Sequence, residues 1–221
     1  GKHARISAFS WMYCKLDIFT GLQLCYNTSI EIEEELHMST KFLVYTALMT
    51  AVIAVLGMVP PIPLAFIPVP IVLQNLGIFL AAVLLGRKYG TLSVIVFLLL
   101  VAAGMPLLSG GRGGIGVFQG PSVGFLIMYP VCAYLIGLIR DMFLTRINFL
   151  VLLITILLFG VVLLDLVGAI VMGIITHIPV GKAIYLSLTF MPGDIIKAIL
   201  AALIGNILLN HSRFQQLIKR Q

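Results

Sequence analysis

From Lys41 to Leu209 the chain is a succession of apolar runs separated by short connectors that hold most of the charge. The runs cover 41–59, 71–85, 91–104, 121–139, 149–175 and 191–209. A helix needs about 20 mostly apolar residues to cross a hydrocarbon core, and shorter runs need support from neighbouring helices. Only 10% of residues are charged and the mean hydropathy is +1.15, whereas an average soluble domain carries about 25% charged residues. The pattern predicts an all-α integral membrane protein with six transmembrane helices.

The connectors orient those helices. Assigned alternately to two sides, they put Lys41, Arg87, Lys88, Arg140, Arg146, Arg213, Lys219 and Arg220 on one side and only Arg112 and Lys182 on the other. Positive charge marks the cytoplasmic side, so both termini are expected in the cytoplasm and the protein is expected in the cell membrane. The basic residues form no patch with interleaved aromatics, which argues against nucleic acid despite a pI near 9.4. Cys14, Cys25 and Cys132 have no paired spacing, the histidines are scattered, and no metal or cofactor is expected.

Two connectors are unusual. Five prolines between Pro60 and Pro70 exclude a helix there and read as a stiff, extended crossing at the membrane surface. Between the third and fourth runs lies a glycine-dense loop, 107–129, with Arg112 at its centre. Irregular backbone cannot face lipid, so the loop must line a cavity or a water-facing mouth. Its amides, including those of Gly113 and Gly114, and its one cation suit a small polar or anionic ligand. The topology turns it outward. Gly111, Gly113 and Gly116 also spell G-x-G-x-x-G, but the preceding strand and following acid of a dinucleotide site are missing.

Asp165 and Asp194 lie inside apolar runs, where a carboxylate costs about 2.5 to 3.5 kcal/mol unless paired or wet. Pro192, Gly193 and Asp194 open the last helix, where the acid meets the positive end of the helix dipole. Lys197 follows on the same face and can neutralise it. Gln74 and Asn75 open the second run near the point where the glycine loop emerges. The candidate site is therefore Gln74, Asn75, Arg112, Gly113, Gly114, Ser122, Asp165, Asp194 and Lys197; an internal ion pair or an amide cap would explain some of these residues equally well. Ala47 and Ala51 are spaced for close helix packing, as are Ala198, Ala201, Ala202 and Gly205. The chain has no phosphate-binding G-x-x-x-x-G-K-[ST] loop and no nucleophile with a matched base, so it is not expected to be an enzyme.

The stretches IPVPIVLQNLG, LLGRKYGT, GGRGGIGVFQGPSVGF, LLDLVGAI and MPGDIIKAILAAL resemble the BioY family, the biotin-binding S components of energy-coupling factor (ECF) transporters. The resemblance covers nearly all of 38–209. It implies a six-helix capture subunit that binds biotin from outside and delivers it with a coupling subunit and two ATPase subunits. It also implies ligand contacts for Asp194 and Lys197 of P-G-D-x-x-K, and for Arg112, and it turns Ala47 and Ala51 toward the coupling subunit. Where the family often has G-P-T-G-G-Y, this chain has Gly120, Pro121, Ser122, Val123, Gly124 and Phe125. Some members carry an arginine where Ile127 stands, and Arg112 is expected to replace that cation. The alternative left open is an autonomous carrier of a small organic anion, with Asp165 or Asp194 relaying protons.

Residues 1–37 hold five of the eight acidic residues and match nothing in the family pattern, although Thr28 and Glu31 resemble a helix cap. They read as an N-terminal extension preceding Met38, with 38–221 as the membrane domain. Deleting 1–37 is expected to leave ligand affinity unchanged in a binding titration; a large loss would make the segment part of the site.

Overall fold

The computed structural model describes residues 40–60, 72–144 and 147–211. The N-terminal extension, most of the proline connector, Arg146 and the basic C-terminal residues lie outside them. The chain divides into two units, 1–44 and 45–221. Of the first, only 40–44 are described, and these are helical. The second is built from the remainder of α1 (Thr40–Met58), then α2 (Gln74–Ala102), α3 (Val123–Met142), α4 (Phe149–Thr176), α5 (Val180–Ser187) and α6 (Met191–Asn210). Five of these are long and apolar enough to cross a membrane. The described secondary structure also includes the 3-10 turn Ile115–Gln119 and an isolated bridge between Leu108 and Arg112.

The run α2 is two helical arms joined at Gly86, which has φ +73° and ψ −171°. A side chain at Gly90 would lie 2.6 Å from Ala81 O and 2.9 Å from the Ala82 Cα. Those residues would be more than 10 Å apart along a straight helix, which rises about 1.5 Å per residue. The second arm therefore folds back on the first, and the sequence expectation of separate runs at 71–85 and 91–104 corresponds to these two arms. The first arm is buried along nearly its whole length, so it need not span lipid unaided. The apolar helices thus number five or six according to whether α2 is counted once or by its arms.

The reversal is held by two residues that the sequence placed in an ordinary connector. Arg140 is 1% exposed. Its Nε donates to Val83 O at 3.0 Å and its Nη2 to Leu84 O at 3.1 Å, while Nη1 meets Asp141 Oδ1 at 2.7 Å. Asp141 Oδ2 in turn accepts the Arg87 N–H at 3.1 Å. A cation thus closes the carbonyl end of one arm and an anion the amide end of the next, which satisfies backbone groups that a helix leaves open and opposes both dipoles.

The turns of α4 widen into a π-helix over Ile156–Leu163, directly before Asp165. Such widening changes which face later residues present and often accompanies functional sites. The short α5 occupies the stretch where the sequence allowed extra helix.

Gly86→Ala is expected to lower the thermal unfolding midpoint in detergent. A side chain there must adopt a positive-φ extended backbone open essentially only to glycine, costing about 1–3 kcal/mol, and it would collide with Asp141 Oδ1. Gly181→Ala, where the space is open, should change stability by less than about 1 kcal/mol. Equal midpoints for the two variants would contradict the role given to the Gly86 turn.

Candidate functional site

The first two turns of α6 carry the chemistry. Lys197 Nζ lies 2.6 Å from Asp194 Oδ1, and both side chains are buried. The same oxygen accepts Asn75 Nδ2 at 3.4 Å from the start of α2. A buried carboxylate survives only when paired and hydrogen-bonded, and here the pairing ties α6 to α2. Next to Asn75, Gln74 Nε2 donates to Leu107 O at 3.4 Å, which fixes the entry of the glycine loop.

The loop is internally tied. Leu108 N–H donates to Arg112 O at 3.0 Å, and Gly114 N–H to Val101 O at 2.8 Å. Ser109 Oγ donates to Gly57 O on α1 at 3.4 Å, and Arg112 Nε donates to Ser109 O at 3.2 Å. The exposed guanidinium of Arg112 is thereby aimed while its terminal nitrogens form no hydrogen bond among the described residues.

These elements enclose a cavity lined by Val72, Gln74, Asn75, Leu108, Ser109, Arg112, Ser122, Phe125, Leu126, Tyr129, Asp165, Phe190, Asp194 and Lys197. Seven expected site residues therefore share one cavity: Gln74, Asn75, Arg112, Ser122, Asp165, Asp194 and Lys197. Gly113 and Gly114 do not line it. A side chain at Gly113 would strike Met105 O, whereas Gly114 faces open space, has φ +85° and has its N–H bound to Val101 O. The preceding segment is the second arm of α2, a helix, which also removes the strand that a dinucleotide motif requires.

Several lining residues escaped the sequence reading. Phe125, Leu126 and Tyr129 continue from the expected Ser122 at helical spacing along one stripe of α3, but α3 is apolar on all sides, which masks the stripe. Phe125 meets Phe190 edge-on, with ring centroids 6.4 Å apart at 89°. Gly168 of α4 makes room for Phe125, since a side chain there would strike the ring. Ile127 is 60% exposed and outside the cavity. Position 127 therefore supplies no side chain to this cavity, whereas Arg112 does.

Ala47 and Ala51 lie on an exposed face of α1 together with Leu48, Val55 and Met58. The small residues of α6 do the opposite: Ala198, Ala201 and Ala202 are fully buried, and Gly205 sits against Val83. Chemically, the cavity joins two cations, two carboxylates and amides to an aromatic wall, a composition suited to binding a small molecule with a polar head, an apolar body and an anionic end.

Comparison with known proteins decides the family. The BioY family model matches residues 29–213, which corrects the expectation that all of 1–37 lies outside the family pattern, since 29–37 fall within the match. The chain belongs to the BioY family. It is 48% identical over 163 residues to the probable biotin transporter BioY of Bacillus subtilis, covering 74% of this chain and 87% of that protein. It is 47% identical over 177 residues to the biotin transporter BioY of Lactococcus lactis, covering 79% and 94%. A crystal structure described as the S-component for biotin from an ECF-type ABC transporter matches with a TM-score of 0.78 and 45% identity, over 82% of this chain and 97% of that one. With its apolar helices, this BioY-family chain is a multi-pass protein of the cell membrane, and its relatives are transporters rather than enzymes.

Lys197→Met should leave Asp194 buried without its cation and destabilise the protein by about 3–5 kcal/mol. The double variant Asp194→Asn with Lys197→Met should recover most of that loss in a detergent melting experiment. A double variant as unstable as the single one would contradict the buried pairing.

Proposed function

We propose that this chain is the biotin-capture subunit of an ECF-type uptake transporter, binding the vitamin in the cavity beneath the glycine loop and releasing it inward without covalent chemistry. The single observation that carries this reading is the likeness to the solved biotin S-component across 97% of that chain. In the proposed topology the two arms of α2 count separately, giving six spans with both termini in the cytoplasm. The glycine loop and the cavity mouth then face outward. The exposed Ala47–Ala51 face of α1 meets a transmembrane coupling subunit, which two ATPase subunits drive.

Biotin has a ureido ring with donors and an acceptor, an apolar thioether ring and a carboxylate at the end of a chain. The buried polar cluster around Asp194 and Lys197 suits the ureido ring, and Phe125, Tyr129 and Phe190 supply an apolar wall. The carboxylate falls to Arg112, because Lys197 is already paired with Asp194 whereas the guanidinium ends of Arg112 form no hydrogen bond among the described residues. Gln74 and Ser122 complete the polar lining. The alternative of an autonomous organic-anion carrier is not favoured, since the named relatives are biotin transporters.

Calorimetric titration of the purified protein with biotin is expected to give a nanomolar dissociation constant. Asp194→Asn, Lys197→Ala and Arg112→Ala should each weaken binding by about 1.5–3 kcal/mol, the range of a lost charged hydrogen bond. Wild-type affinity in all three variants would remove these residues from the site.

A further inference from the structure

Among the described residues, three buried side-chain oxygens have no hydrogen-bond partner: Asn75 Oδ1, Thr91 Oγ1 and Asp165 Oδ2. Thr91 lies outside the cavity. Asn75 and Asp165 both line it, and they are 7% and 5% exposed. Buried polar atoms in folded proteins nearly always have a partner, so two unmatched acceptors in the wall of one cavity point to donors that a ligand brings.

The surrounding contacts sharpen this. The amide of Asn75 is oriented by its Nδ2, which donates to Asp194 Oδ1, so Oδ1 is left as an acceptor. Asp194 Oδ1 already receives both Asn75 and Lys197. Asp165 comes from a different helix, two residues past the last π-helical residue of α4, and lines the same cavity as Asp194 and Lys197. The cavity therefore offers unused acceptors on two separate elements, α2 and α4, beside an ion pair whose shared oxygen is occupied.

We infer that Asn75 Oδ1 and Asp165 Oδ2 form an acceptor pair that reads the two N–H groups of the ligand's ureido ring, with Asp165 as a specificity-determining residue. The inference rests on the biotin reading of the cavity and assigns a role within it. A cyclic urea carries one N–H on each side of its carbonyl, so it needs acceptors from two directions. A ring lacking one N–H leaves one of these oxygens buried and unmatched. Sites built to hydrogen-bond a ligand group reject analogues without it far more strongly than apolar sites reject a missing methylene.

The test is a cycle of titrations with biotin and its two mono-N-methylated ureido analogues, against wild type and Asp165→Leu. One methylated analogue should bind the wild type about 10- to 100-fold more weakly than biotin, and Asp165→Leu should weaken biotin by a similar factor. That same analogue should lose no more than about 3-fold on going from wild type to Asp165→Leu, because the two changes remove one interaction. Biotin binding unaffected by Asp165→Leu, or losses that multiply for both analogues, would overturn the inference while leaving biotin capture standing. Should Asp165→Leu fail to fold, the wild-type titrations decide alone: equal affinity for biotin and both analogues overturns the acceptor pair. A wild type that binds no biotin overturns the underlying reading and the inference with it.

Discussion

The ion pair between Asp194 and Lys197 is the constraint on which the rest of the cavity depends. Two charges inside an apolar bundle are tolerated only when each meets the other at short range and their remaining valences find hydrogen bonds. Placing Asp194 in the first turn of α6 and Lys197 one turn later puts the carboxylate at the positive end of a helix dipole and the ammonium on the same face. Asn75 joins from α2, and Asp165 from α4 faces the same charges. Four elements, counting the Tyr129 stripe of α3, therefore converge on a point that no apolar packing rule alone would select.

The position of Asn75 is itself held from a distance. The first arm of α2 begins at Gln74 and Asn75 and ends at Gly86, where Arg140 and Asp141 close the reversal. The arm is short and buried, so anchoring its far end limits how it can slide or rotate at the cavity end. Binding geometry and fold stability thus share one element. The glycine loop follows similar logic, since its own hydrogen bonds to Val101 and Gly57 fix the backbone from which Arg112 reaches the cavity mouth.

Much of this was legible in the sequence, for physical reasons that also explain what was not. Runs of apolar residues announce helices because lipid admits little else, and the bounds read for α1, α4 and α6 agree with the structure to within a residue or two. Charged and amide residues inside such runs are expensive, so Gln74, Asn75, Asp165, Asp194 and Lys197 stood out. Aromatic lining residues did not, because Phe125, Tyr129 and Phe190 are apolar among apolar neighbours and only packing reveals which face they occupy. The burial of Arg140 was hidden for the opposite reason: a basic residue at a helix end usually marks topology, and its use as a cap for Val83 and Leu84 depends on a contact 57 and 56 residues away. Gly113 and Gly114 resembled ligand-facing amides, but Gly113 packs closely against Met105 and the Gly114 N–H is taken by Val101 O, while Ile127 is exposed outside the cavity.

Capture of biotin by this cavity, as proposed, is open to direct measurement. The most direct measurement is mass spectrometry of the small molecules released on denaturing protein purified in detergent from cells supplied with the vitamin. Stoichiometric biotin in the wild type is the predicted result. A wild type that releases no biotin and retains none after incubation with it would contradict the account.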